Sequence, residues 1–195
     1  MIELNKDKFI IGIDPGIRNT GWGVIKYFQN KVYHIDHGVI IPEPKDNDAI
    51  RLNFISNCLE KIINKYNPSM AVIEKIFVSA SGESALKLGM ARGVALNVLA
   101  SKETISIKEL AARNVKKALT GTGAADKKQI KFMVEKILGT NVKKLDASDA
   151  LAIAIAGFNL LNEKLDSFNL NEKTKKKYIN NNLNNAIRRA LEKNQ

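Results

Sequence analysis

Cysteine is almost missing from this chain: Cys58 is the only one in 195 residues. A single thiol excludes an intramolecular disulfide and argues against a cysteine-based zinc site. Its neighbours Ile55, Leu59, Ile62 and Ile63 place it on a helix face as a buried, inert thiol. Long apolar runs are missing too. The longest strongly apolar stretch, residues 151–158, is about eight residues long, against the roughly 20 that cross a bilayer. The first eight residues mix both charge signs and lack the pattern of a secretory leader. The expectation is a soluble protein of a reducing, cytoplasmic compartment, with no membrane partner. Acid is scarce relative to base, with 20 Asp and Glu against 31 Lys and Arg. The resulting net charge of +11 and pI near 9.7 favour a polyanion, either nucleic acid or an anionic membrane surface. Many lysine-rich proteins are merely soluble, so the charge alone decides little.

What is present is an ordinary globular composition. Apolar residues make up 45%, enough to exclude wholesale disorder, and the length suits one compact domain with a tail. Phe9-Ile10-Ile11-Gly12-Ile13 reads as a central strand that meets a turn at Asp14-Pro15-Gly16. Residues 22–28 and 31–41 are two more strand-like runs, and Gln29-Asn30 between them suggests a hairpin. Pro42 and Pro44 then break the chain. Residues 49–66 set Ile50, Phe54, Cys58, Leu59, Ile62 and Ile63 at helical spacing, and Asn67-Pro68 stops that helix. Met70-Ala71-Val72-Ile73 is a buried strand ending at Glu74. A helix over 83–101 follows, and its Ala85, Gly89 and Gly93 permit close packing on another helix, including across a dimer. A brief strand over 105–107, a helix over 111–119, a glycine link at 121–123 and helices over 125–138 and 147–161 complete the body. Three strands, then helices alternating with two strands, indicate an α/β sheet with an antiparallel part and helical crossovers. Past residue 161 the composition turns to Asn, Lys and Glu, which divides the chain into a body, 1–161, and a basic tail, 162–195.

Two acids stand at the ends of apolar strands. If the strands that end at Asp14 and Glu74 are parallel neighbours, both carboxylates emerge at one edge of the sheet, where α/β proteins place ligands. Asp-Pro-Gly is also simply a good turn sequence, and Glu74 is open to reading as an edge-exposed carboxylate. A third element, Asp146-Ala147-Ser148-Asp149, opens the last apolar helix with two aspartates on one side of its first turn. Helix capping by Asp146, and a favourable dipole position for Asp149, account for that pair without a metal. Together the four acids say more. Brought within a few ångströms, carboxylates repel by several kcal/mol per pair at an effective dielectric near 20, and a cation must neutralise them. All-oxygen donors favour Mg2+ or Mn2+ over zinc, and such ions serve hydrolysis of phosphodiesters.

The motifs resemble, in order and spacing over residues 9–158, the crossover (Holliday) junction endodeoxyribonucleases of the RuvC family. Ile11-Gly12-Ile13-Asp14-Pro15-Gly16 with Thr20-Gly21 carries the resemblance first, then Val72-Ile73-Glu74-Lys75-Ile76-Phe77. Ser84-Ala85-Leu86-Lys87-Leu88-Gly89, Ala91-Arg92-Gly93, Ala111-Ala112-Arg113-Asn114-Val115-Lys116 and Asp146-Ala147-Ser148-Asp149-Ala150-Leu151-Ala152 complete it. The resemblance implies a ribonuclease-H-like mixed sheet, three antiparallel strands then two parallel ones, flanked by helices. It implies that Asp14, Glu74, Asp146 and Asp149 are catalytic and hold Mg2+, with Mn2+ able to substitute. Phe77 matches an aromatic that stacks on bases at a junction centre, and Lys116 and Lys127 match basic positions near the cut phosphate. It further implies a homodimer that nicks four-way junction DNA symmetrically in recombination and repair. A junction-binding protein and a branch-migration motor are the partners so implied. The Asn/Lys-rich tail is the departure from the family core.

Two other features point elsewhere. His34 and His37, three apart in a strand-like run, are expected on opposite faces and make a poor metal pair. Asp14-x-Gly16 followed by Thr20 also resembles the first phosphate motif of actin-like kinases and ATPases. Those enzymes normally need two such domains, and this chain is too short. A non-catalytic junction binder is the third reading, which replacement of the acids separates from an enzyme.

Overall fold

The computed structural model describes residues 8–29, 31–75 and 82–160. Five strands form one mixed sheet in the order β3-β2-β1-β4-β5. β1 (Lys8–Asp14), β2 (Thr20–Phe28) and β3 (Lys31–Ile40) are the antiparallel part. β4 (Met70–Lys75) and β5 (Ser106–Ala111) run parallel to β1. The expected three-plus-two sheet is therefore present. Its hairpin turns at Gln29, whose φ of 48° is left-handed. The last strand is longer than the brief 105–107 run, because Lys108, Glu109 and Leu110 continue the ladder beside Val72, Ile73 and Glu74.

Alternation along β1 sends its side chains to two different layers. Ile11 and Ile13 join Val24, Ala71 and Ile73 in a core shared with helices α1 (Asp48–Tyr66) and α2 (Gly82–Ala100). α1 is capped by Asn47, whose side chain accepts from the Ile50 amide, and closes at the left-handed Asn67. Its buried stripe is Ile55, Leu59 and Ile63. Ile50 and Phe54, expected on that stripe, are exposed instead, because they lie on a different face of α1 from the buried Ile55. Cys58 is half-buried rather than buried, and burial pushes its thiol pKa up, so the inert thiol stands.

On the opposite face lies the last helix, α5, described over residues 145–160. α3 (Ala112–Thr120) and α4 (Lys127–Leu138) come between β5 and α5. α5 is buried along nearly its whole length, with Ala150, Leu151, Ala154 and Phe158 all inside. Close approach is possible because the strands beneath carry glycine. A Cβ on Gly12 would stand 2.0 Å from the Ala150 carbonyl oxygen, and one on Gly21 2.0 Å from that of Asp146. Both distances are far inside contact, so the helix backbone rests directly on the sheet.

One expectation about β3 fails. His34 and His37 are hydrogen-bonded to each other, Nε2 to Nδ1 at 2.8 Å. The pairing of β2 with β3 slips between Val24 and Ile25, which face Asp36 and His34, so Ile35 is an extra residue. That bulge resets the alternation and returns both imidazoles to one face. Asp36, on the other side, accepts hydrogen bonds from Tyr66 and Lys65 of α1.

Candidate active site

Asp14 and Glu74 are neighbours because their strands are. Ile13 pairs with Ile73 in the parallel β1–β4 ladder, so the next residue of each strand leaves the sheet at the same edge. Both strands are buried to their last apolar residue, which leaves the terminal carboxyls little water. The β1–β2 ladder sets Gly21 beside Asp14, and Gly21 in turn abuts the backbone of Asp146. The loop between them is held shut by Thr20, whose hydroxyl donates to the Gly16 carbonyl at 2.7 Å. The first turn of α5 is thereby pinned over the end of β1.

Asp14, Glu74 and Asp149 line one cavity of about 300 Å3, together with Lys116, Lys127 and the apolar walls Val115, Ile130 and Ile153. Asp146 opens onto the adjoining groove, where Asp14, Arg18 and Lys87 are its neighbours. Asp14 is thus the hinge of the constellation, shared by both spaces. α5 begins at residue 145, so Asp146 lies inside its first turn rather than capping it. The helix-capping account of Asp146 is therefore removed. Lys116 of α3 and Lys127, the first residue of α4, both line the cavity. Phe77 and the tail 162–195 lie outside the described residues.

The electrostatics are those of an acid cluster short of positive charge. Burial, then Glu74 and Asp149, push the Asp14 carboxyl up from 3.8 to about 7. Glu74 is raised as well, chiefly by burial and by Asp149, with Lys127 opposing. A hydrogen bond joins the Asp14 and Glu74 side chains. Lys127 Nζ lies 3.1 Å from Asp149 Oδ2. As they stand, no three Asp, Glu, His or Cys side chains among the described residues enclose a common point at ligand spacing. The Asp14–Glu74 hydrogen bond and one ammonium group hold the cluster together. The donor set nevertheless fits a hard divalent cation: all ligands are oxygen, the pocket is partly dry, and two of the acids are short of neutralising charge.

Arg92 of α2, quoted within a motif but without a role of its own, carries one here. Its Nε donates to the Glu74 carbonyl at 3.2 Å, and its guanidinium also pairs with Glu109 on β5. Arg92 therefore fixes the backbone on which Glu74 stands. An arginine set between the small residues Ala91 and Gly93 is the signal that could have found it.

Comparison with known proteins places the chain in a single family. The family model for the crossover junction endodeoxyribonuclease RuvC matches residues 10–157. A crossover junction endodeoxyribonuclease RuvC of Hyphomonas neptunium is 46% identical over 147 residues, covering 75% of this chain and 87% of its own. That of Caulobacter sp. strain K31 is 42% identical over 152 residues, covering 77% and 89%. Among solved structures, Thermus thermophilus RuvC in complex with a Holliday junction substrate superposes with a TM-score of 0.71. It is 28% identical and covers 76% of this chain and 92% of its own.

Proposed function

The chain belongs to the crossover junction endodeoxyribonuclease RuvC family, and on that premise we propose that Asp14, Glu74, Asp146 and Asp149 are the acids with which it cuts. It is a Holliday junction resolvase, a metal-dependent endonuclease of recombination and repair on a ribonuclease-H-like fold. The observation that carries the assignment is the convergence of Asp14, Glu74 and Asp149 on one cavity, with Asp146 beside it. Mg2+ fits the oxygen donors best, with Mn2+ as its substitute, and either would supply Lewis acidity and a water nucleophile near neutral pH.

The side chains divide the work. Asp14, Glu74 and Asp149 hold the cation from the strand edge and from α5, and Asp146 extends the acid face into the next groove. Lys116 and Lys127 place ammonium donors at the mouth, where a phosphate would sit. Phe77, three residues past Glu74, is proposed from the family resemblance to stack on bases at the junction centre.

A four-way junction has two strands of like polarity to cut, and a C2 homodimer supplies two matching sites. α2 suits that interface. Added Cβ atoms on Gly89 and Gly93 meet nothing within 4 Å among the described residues, and Leu86 beside them is exposed. These small residues leave room that packing among the described residues does not use. We further propose residues 1–161 as the nuclease domain and 162–195 as a basic tail in auxiliary phosphate contact. A cytoplasmic location, and cooperation with a junction-binding protein and a branch-migration motor, complete the reading. No helix among the described residues is long and apolar enough to cross a membrane.

The test is cleavage of synthetic four-way junctions in Mg2+. Wild type should give paired, symmetric nicks. Asp14→Asn and Glu74→Gln should each lose at least about 100-fold in rate while still binding the junction. Cleavage that survives both substitutions would overturn the assignment.

A further inference from the structure

We propose that Lys127 is a built-in counter-cation of the acid cavity, which a divalent ion must displace and which is thereby released toward the DNA. The inference rests on reading the acids as metal ligands. Three observations carry it. Lys127 Nζ lies 3.1 Å from Asp149 Oδ2, and its charge also acts on Asp14, Glu74 and Asp146, so one ammonium serves all four carboxylates. Lys127 is the first residue of α4, where the helix dipole disfavours a cation, so the position is not explained by its own helix. The backbone beneath it is fixed by the reciprocal capping of Asp126 and Gln129, while the lysine side chain is 68% exposed. It can therefore swing without disturbing α4. Lys116 lines the same cavity and its charge also acts on Glu74, but it makes no close ion pair among the described residues, which singles out Lys127.

A divalent ion and an ammonium group compete for one carboxylate, because each repels the other. A cation bound at Asp149 therefore loosens Lys127 at the mouth of the cavity, with its three donors available for a phosphate. Metal loading and DNA contact become coupled through a single side chain.

The coupling is measured without DNA, by calorimetric titration of Mn2+ into the metal-stripped full chain. Lys127→Met should bind Mn2+ about three- to tenfold more tightly than wild type, the range expected when an exposed ion pair and a nearby charge are removed. Metal-free Lys127→Met should melt below metal-free wild type. In an Asp149→Asn background, Lys127→Met should tighten binding far less, since the contested carboxylate is gone. Unchanged affinity in Lys127→Met would leave the lysine a DNA contact only and overturn the proposal. Weaker affinity would make it a positioning residue and overturn it equally. Wild-type Mn2+ binding that Asp14→Asn does not diminish would instead bring down the acid-site reading, and this inference with it.

Discussion

Asp14 occupies the most strained electrostatic position among the four acids. It ends a buried strand, touches Glu74 and faces Asp149, and its carboxyl is held at about 7. A carboxyl raised above its unfolded value binds its proton more tightly in the native state. The stability gained from that proton is complete below about pH 4 and is lost as pH rises through about 7. Without a divalent ion the shift corresponds to at most about 4 kcal/mol at pH 8. Asp14→Asn removes the charge while keeping the shape. In EDTA it should be more stable than wild type by on the order of 2 kcal/mol at pH 8, and nearly equal at pH 4. Urea unfolding at the two pH values checks this. Equal stability at both would mean that Asp14 is not held out of water by its neighbours. The candidate acids were legible because a charge at the end of an apolar strand breaks the pattern in view of any reader. His34 and His37 were misread because a one-residue bulge leaves no mark in local periodicity. Arg92 was quoted within a motif, but its contact with Glu74 depends on how α2 crosses β4, which no local spacing encodes.

Among the elements, α5 positions two of the four acids, and the glycines beneath it set its height. The strands and helices were legible from their apolar periods, with ends off by a residue or a few. Ser106–Ala111 was cut short because Lys108 and Glu109 look out of place in a strand until its neighbour is known. The packing of α5 was hidden for a different reason. Gly12 and Gly21 read as turn or strand punctuation, whereas each stands against a helix carbonyl. A methyl group on Gly12 forces α5 outward. Gly12→Ala should cost about 1–3 kcal/mol through overpacking. It should also lower cleavage by on the order of 100-fold, because a 1 Å shift of Asp146 and Asp149 misplaces the acid constellation. Denaturation midpoints and single-turnover cleavage rates below the midpoint check both. A stable Gly12→Ala protein with full activity would show that the helix has slack.

At the scale of the molecule, a chain of net charge +11 carries a pocket of acids. The net positive charge draws in a polyanion, and the acid cavity becomes compatible with a phosphate only when a cation fills it. That opposition makes metal loading the condition for cutting. On the proposed dimer, the exposed small-residue face of α2 would seat a second copy and bring two such cavities to one four-way junction. The most direct measurement of this account is anomalous diffraction from crystals soaked in Mn2+. The account predicts a manganese peak in the cavity lined by Asp14, Glu74 and Asp149, with Lys127 turned away from Asp149. Saturating Mn2+ with no peak at these carboxylates, or a peak elsewhere with Lys127 still on Asp149, would contradict it.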